Sequence, residues 1–260
     1  MFCPPECNNF MIFGFPVYYY GITMALAVFT GSFISHKIAA NKYGLFDLIP
    51  EVAVSVIVGG IIGARLYYCL LNWQFYSQNF LNIFLIREGG LSIHGALLGG
   101  AVVLYFCSKR KNISFLKLCD IVSVGLPLAQ AIGRFGNFFN SEAFGAPTNL
   151  PCKMFIKEEF RPDKYLDFSY FHPTFLYEAI FNVIIFIVLY CLVLPKYKNN
   201  FGIIAACYLI MYSTVRLFIE FIRIDCTFFV FGLPMPSVVS LLIIIFSVIF
   251  ILWKNFNKEY

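Results

Sequence analysis

Long apolar runs separated by short polar or basic stretches recur along the whole chain, and seven of them approach the ~20 residues that a helix needs to cross ~30 Å of hydrocarbon. They cover Val17 to Ser35, Ile49 to Leu71, Leu91 to Cys107, Leu118 to Gly133, Thr174 to Leu194, Phe201 to Phe221 and Pro236 to Trp253. The fourth is the shortest and carries Pro127 inside it, so a soluble-core helix is the alternative for that segment alone. The pattern predicts an all-α fold, a polytopic helical membrane protein of about seven transmembrane helices. No long sequence period repeats and no low-complexity linker divides the chain, so residues 1–260 are expected to form a single integral membrane domain.

Composition agrees with that expectation. Of 260 residues, 60% are hydrophobic, 19% aromatic and 13% charged, and the mean hydropathy is +0.78, a balance that excludes an ordinary soluble domain. The basic residues give an orientation, because cytoplasmic loops carry an excess of Lys and Arg. Lys37 and Lys42 follow the first span, Lys109, Arg110, Lys111 and Lys117 the third, Lys196 and Lys198 the fifth, and Lys254 and Lys258 the seventh. All four connections fall on one side, which predicts an outer N-terminus, a cytoplasmic C-terminus and a small extracytoplasmic insertion over residues 134–173. No Lys or Arg precedes the first run, so it is expected to be a retained anchor and not a cleaved signal peptide.

The net charge of +5 is mostly that of the cytoplasmic loops, which face anionic headgroups among the membrane lipids; no basic stripe with interleaved exposed aromatics points to nucleic acid. Of nine cysteines, Cys69, Cys107, Cys119, Cys191 and Cys207 lie in or beside apolar runs and are expected to act as small hydrophobes. Cys3, Cys7, Cys152 and Cys226 fall on the outer side, where disulfides are permitted if that compartment is oxidising. Whether they pair is left open.

Against this background the polar residues within apolar surroundings stand out. An ionisable group at membrane depth costs ~2.5–3.5 kcal/mol even on the lenient insertion scale, so such groups face one another or a polar cavity. Gly133-Arg134-Phe135-Gly136-Asn137-Phe138-Phe139-Asn140-Ser141-Glu142 sets a dense cluster at the end of the fourth run. His94 lies near the outer start of the third run, in Glu88-Gly89-Gly90-Leu91-Ser92-Ile93-His94-Gly95. His172, Tyr177 and Glu178 open the fifth, Arg216, Glu220 and Arg223 close the sixth, Tyr20 and Gly21 sit near the outer end of the first, and Arg65 lies in the outer part of the second. Six of the seven runs thus bring polar groups to one expected depth.

Several of these residues have a structural alternative. Arg216, Glu220 and Arg223 share one helix face at spacings of four and three, and can pair along it as an ion ladder. Arg134 adds a guanidinium fork suited to phosphate, and two or three such groups around a wet cavity point to a phosphate-bearing lipid. His94 is either a packed histidine or a proton-transfer group, its neighbouring glycines allowing close backbone approach. Gly59, Gly60 and Gly63 read as a helix-packing face, and His172 as a helix-start residue.

The motifs Gly133-Arg134-x-Gly136-Asn137-x-x-Asn140-x-Glu142, Gly90-x-Ser92-x-His94-Gly95, His172-Pro173-Thr174-x-x-Tyr177-Glu178 and Arg216-x-x-x-Glu220-x-x-Arg223 together resemble bacterial prolipoprotein diacylglyceryl transferases. The resemblance runs from Tyr20-Gly21 through Arg223, and Ala96 departs from the glycine that the family often has after His-Gly. It implies a multi-pass enzyme of the bacterial cytoplasmic (inner) membrane with its active site toward the extracytoplasmic side. The implied reaction moves the diacylglyceryl group of phosphatidylglycerol onto the lipobox cysteine thiol of preprolipoprotein signal peptides, releasing glycerol phosphate. Neither a metal nor an organic cofactor is required, because phosphatidylglycerol carries its own activated group.

On that resemblance Arg134 and Arg216 are expected to bind the phosphate and stabilise the leaving group, with Arg223 beside them. Asn137 and Asn140 would orient the headgroup, while Glu142 and Glu220 would hold the arginines. His94 is the candidate base, with Tyr20 as its alternative or hydrogen-bond partner; a strongly positive site lowering the thiol pKa without a base stays open. Two rival functions fit the arginines: an anionic-solute transporter, whose expected internal repeat is not evident, and a non-catalytic phospholipid-binding protein.

Overall fold

The computed structural model describes residues 1–5, 7–85, 89–224, 229–230 and 232–257. Glu88, Cys226 and Lys258 lie outside the described residues. Among those described, the helices are α1 (Tyr19–Tyr43), α2 (Leu48–Leu71), α3 (Trp73–Tyr76), α4 (Ile93–Arg110), α5 (Phe115–Phe139), α6 (Thr174–Val188), α7 (Leu194–Tyr197), α8 (Ile203–Glu220) and α9 (Met235–Phe256). Three antiparallel two-stranded ribbons accompany them: β1 (Asn9–Ile12) with β2 (Phe15–Tyr18), β3 (Met154–Phe155) with β4 (Tyr170–Phe171), and β5 (Phe229–Val230) with β6 (Leu233–Pro234).

Six helices among the described residues are long and apolar enough to cross a membrane: Tyr19–Tyr43, Leu48–Leu71, Phe115–Phe139, Thr174–Tyr197, Ile203–Glu220 and Met235–Phe256. Helix α4, over the third apolar run, falls outside that class because three glycines and a Ser108-Lys109-Arg110 end dilute its 18 residues. The fourth run becomes a full-length helix: α5 continues through Pro127 and past Arg134 to Phe139. Pro127 has no N–H to give the Ser123 carbonyl four residues back, yet one lost bond does not end a helix whose neighbouring turns are intact. In the fifth run, Pro195 imposes the same conflict and the helix widens to a π turn over Leu189–Val193 just before it.

The chain forms two compact units, one of Met1–Ile34 with Val122–Tyr260 and the other of Ser35–Ile121. In the second, α2 and α4 pack backbone to backbone. A Cβ on Gly63 would lie 2.4 Å from the Gly95 carbonyl oxygen and 2.8 Å from Gly99 Cα, so only glycine allows this approach. The connection from α2 to α4 is gathered onto Arg65, which is 5% exposed. Its guanidinium donates to the carbonyls of Asn82 (2.6 Å), Ile83 (2.8 Å), Leu85 (3.2 Å), Gly89 (2.7 Å) and Gly90 (3.0 Å). Gly89 and Gly90 take left-handed φ of 89° and 75°, which turn their carbonyls inward.

In the first unit α8 packs against both α6 and α9. Between α5 and α6 the chain folds on a small core of Phe144, Met154, Ile156, Phe171 and Phe175. The N-terminal arm joins it: Phe2 bridges to Met154, donating to the Lys153 carbonyl at 2.9 Å and accepting from Phe155 N–H at 2.8 Å. Residues 145–147 form a strap whose Gly145 pairs with Arg223 and whose Pro147 pairs with Phe171. That strap ties the end of α8 to the start of α6, where the charged residues lie.

Candidate active site

The last turns of α5 carry Arg134, Gly136 and Asn137 into the first unit. Arg134 donates from Nη1 to Asn137 Oδ1 at 3.3 Å, and Asn137 Nδ2 donates to Glu142 Oε1 at 2.9 Å. The other edge of the same guanidinium meets a buried carboxylate: Arg134 Nη2 lies 2.5 Å from Glu178 Oε2. Glu178, 2% exposed, uses its second oxygen on Arg223, at 3.6 Å from Nη1. One carboxylate on α6 therefore joins an arginine at the end of α5 to one just beyond α8.

One expectation changes here. Glu142 does not hold an arginine; it is exposed and takes the Asn137 amide, while Glu178 is the counterion of Arg134. Arg223 also contacts Glu178, and the backbone beside it is held to the 145–146 strap, Ala146 N–H donating to the Ile222 carbonyl at 2.8 Å. The signal for Glu178 was present in the sequence as Tyr177-Glu178 at the start of an apolar run, and the excess of arginines called for a buried counterion.

Arg216 and Glu220 do pair, with Nη2 2.7 Å from Oε2. The guanidinium N–H is not aimed at that oxygen, so the contact is ionic and Glu220 Oε2 accepts no hydrogen bond. Arg216 Nη1 is also buried without a hydrogen-bond partner. A buried donor left unsatisfied is costly, and it is the arrangement expected of a group kept for a ligand oxygen. Across the two ion-pair groups three guanidiniums, Arg134, Arg216 and Arg223, meet two carboxylates, Glu178 and Glu220.

Tyr20 packs its ring on the one bare position of the α5 end. A Cβ on Gly136 would fall 2.8 Å from Tyr20 Cδ2 and 2.9 Å from Thr23 Oγ1. The phenol lies near enough to Glu142 and Arg134 to feel both charges. Asn140 follows the helix, its N–H bonded to the Gly136 carbonyl at 3.1 Å. Ser141 and Ala143 adopt left-handed φ of 55° and 57°, and Thr174, fully buried, donates its hydroxyl to the Ala143 carbonyl. This turn presents Glu142 to Asn137.

Beside the ion pairs, His172 Nδ1 and Tyr177 OH are 3.1 Å apart, and Cys152 Sγ is 3.8 Å from the same hydroxyl. Partial burial holds the His172 imidazole below its usual pKa, favouring the neutral ring. His94 and Arg65 belong to the other unit. His94 is exposed near the start of α4, its ring 6.2 Å from that of Tyr67. Arg65 is committed to loop carbonyls, a clamp and not a ligand cation.

Residues 8–253 match the family model described as prolipoprotein diacylglyceryl transferase. Among similar proteins, one from Synechocystis sp. is 40% identical, with 97% of this chain and 90% of the relative aligned. Another, from Acaryochloris marina, is 40% identical over 100% of this chain and 94% of its own length. A third, from Thermotoga maritima, is 41% identical over 83% of this chain and 74% of its own length. Each is a phosphatidylglycerol–prolipoprotein diacylglyceryl transferase by name. These likenesses favour a transferase over the transporter and the non-catalytic lipid binder.

Proposed function

The chain belongs to the prolipoprotein diacylglyceryl transferase family, and from that premise we propose how its residues transfer the diacylglyceryl group of phosphatidylglycerol to the lipobox cysteine of a preprolipoprotein. The observation that carries the assignment of the site is the unsatisfied, buried Nη1 of Arg216 within a group of three guanidiniums and two carboxylates.

In the reaction the cysteine sulfur attacks the glyceryl carbon that bears the phosphate. A C–S bond forms, the C–O bond breaks, its electron pair stays on the phosphate oxygen, and glycerol phosphate leaves. Negative charge grows on the phosphate as the bond breaks, so fixed cations bind the transition state more strongly than the lipid. Arg134 and Arg216 are the phosphate ligands, and Arg223 adds to the positive field. Glu178 holds Arg134 and Arg223 in place, and Glu220 does the same for Arg216. Asn137, tied on one side to Arg134 and on the other to Glu142, orients the headgroup together with Asn140.

A thiol of pKa ~8.5 is mostly protonated at neutral pH, so its proton must be taken as sulfur attacks. His94, whose imidazole nitrogens can accept and return a proton, is the base, and Tyr20 is the hydrogen-bonding group beside the cations. No metal or organic cofactor enters any step.

We also propose the setting: a bacterial inner-membrane protein crossing seven times, N-terminus outside, C-terminus in the cytoplasm, the cation cluster on the extracytoplasmic side. The basic residues gathered at the C-terminal ends of α1, α4, α7 and α9, Lys42, Lys109, Arg110, Lys196 and Lys254 among them, support that orientation.

The test is incubation of the purified protein with labelled phosphatidylglycerol and a signal peptide bearing a lipobox cysteine. A thioether-linked diacylglyceryl peptide with release of glycerol phosphate is expected, and its absence with Arg134→Ala or with a Cys→Ser peptide. Well-folded protein that moves or binds the lipid in several detergent and lipid conditions without consuming it would overturn the assignment.

A further inference from the structure

We propose that the β1–β2 hairpin is a membrane-surface element, its tip seated among the glycerophospholipids of the leaflet at which α1 begins. The hairpin pairs Asn9 with Tyr18 and Ile12 with Phe15, leaving a two-residue turn of Phe13 and Gly14. Both take left-handed φ, 48° and 84°. Such a turn favours Asn or Asp followed by Gly, and a bulky aromatic at its first position is strained. Phe13 gains no packing in return, being 97% exposed.

Phe13 is not alone. Met11 is 64% exposed, Ile12 43% and Phe15 73%, so the tip is an apolar cluster on a ribbon that no further strand supports among the described residues. An isolated two-stranded hairpin is marginal in water at best, and both the strain and the exposure are accounted for if the tip lies in an apolar phase.

Two observations point to lipid as that phase. β2 ends at Tyr18 and α1 begins at Tyr19, so the hairpin emerges directly at the end of a membrane-crossing helix, with no spacer. The 29 residues from Cys7 to Ser35 contain no Asp, Glu, Lys or Arg, and that uncharged run reaches back through the whole hairpin, well beyond what the span itself needs. An aromatic hairpin attached at the hydrocarbon edge and free of charge has the chemistry of the interfacial belt.

The base of the hairpin is fixed to the candidate site. Tyr19 N–H donates to the Asn8 carbonyl at 3.0 Å. The Phe10 ring centroid is 5.5 Å from that of Tyr19, which stacks on Phe139 at 5.1 Å. Phe139 is the last residue of α5, between Asn137 and Asn140. A tip held in the leaflet therefore sets the depth of the α5 end, and with it the height of Arg134 and Asn137 against the lipid phosphates. This second consequence rests on the transferase assignment; the insertion itself does not.

The experiment places a tryptophan at the tip of the full chain, Phe13→Trp with Trp73→Phe and Trp253→Phe, in vesicles of phosphatidylglycerol and phosphatidylethanolamine. Blue-shifted emission, quenched by lipids brominated near the headgroup end of the acyl chains and shielded from acrylamide, is expected. Red-shifted emission quenched by acrylamide would overturn the proposal, and so would a shielded tryptophan that brominated lipid does not quench, which would mark a protein contact. This readout needs no catalysis, so it stands apart from failure of the transferase assignment. For the depth-setting role, Phe13→Asn is expected to lower turnover several-fold in vesicles, to leave turnover in detergent micelles unchanged, and to keep or raise the unfolding temperature because Asn tolerates the left-handed turn. Equal loss in both media, or none in vesicles, would overturn that role.

Discussion

Glu178 Oε2 lies 2.5 Å from Arg134 Nη2 while Oε1 of the same carboxylate reaches Arg223 at 3.6 Å, so one buried charge fixes two cations that approach it from different segments. Removing that charge leaves both guanidiniums without their shared anion. Glu178→Gln keeps the shape and is expected to cost about 3 kcal/mol, the low end of the range for breaking a buried pair because the Arg134 side chain retains 20% exposure. Thermal unfolding in micelles reads the stability loss, and turnover should fall with it. Glu178→Asp should recover part of both. An unaltered unfolding temperature and full turnover in Glu178→Gln would show that the arginines are positioned by something else.

Arg216 separates stability from activity. Its Nη2 edge pairs with Glu220, but Nη1 is buried without a hydrogen-bond partner, and in the proposed mechanism a phosphate oxygen of the lipid takes that place. Arg216→Lys keeps a cation for Glu220 and removes the orphaned donor. The unfolding temperature is expected to hold or rise while kcat drops by about 100-fold, the usual effect of losing one donor aimed at developing negative charge. Turnover unchanged in a folded Arg216→Lys protein would remove Nη1 from the mechanism.

The division between what the chain announces and what it hides follows from these pairs. Apolar runs of span length mark helices because the bilayer demands them, and α2, α8 and α9 begin and end within a few residues of the runs that predict them. Arg134 stands out because a cation in an apolar run needs a reason. Its partner does not, since Glu178 is 44 positions away and only the packing of α5 against the start of α6 makes it the counterion. Arg65 looks like a ligand cation for the same reason Arg134 does, and only its five carbonyl partners tell the two apart. The β1–β2 hairpin is absent from the apolar-run pattern because Phe13-Gly14 replaces the usual Asn-Gly or Asp-Gly turn signal.

His172 gives a pH dependence of stability. Its folded pKa is lowered by burial, so the unfolded chain takes up the proton first as pH falls. The stability it supports is fully present above the unfolded imidazole pKa of ~6.5 and is lost as pH drops below it through the lower folded value. His172→Gln should flatten the part of the unfolding-temperature profile just below pH ~6.5. A profile identical to that of the parent protein would show that His172 titrates alike in both states.

The α2–α4 contact predicts opposite signs for two glycine substitutions on neighbouring turns of one interface. A methyl at Gly63 would meet only backbone, the Gly95 carbonyl oxygen at 2.4 Å and Gly99 Cα at 2.8 Å, so the helices must part. Overpacking of that kind costs about 1–3 kcal/mol, against about 1 kcal/mol gained from replacing a mid-helix glycine by alanine. Gly63→Ala is therefore expected to lower the unfolding temperature. At Gly100 the nearest atom to a new Cβ is Val56 Cγ1 at 3.7 Å, an ordinary contact, so Gly100→Ala keeps the propensity gain without the clash and should raise it. Unfolding temperatures of the two variants in the same micelles decide the matter: a stabilising Gly63→Ala would mean that α2 and α4 do not meet backbone to backbone.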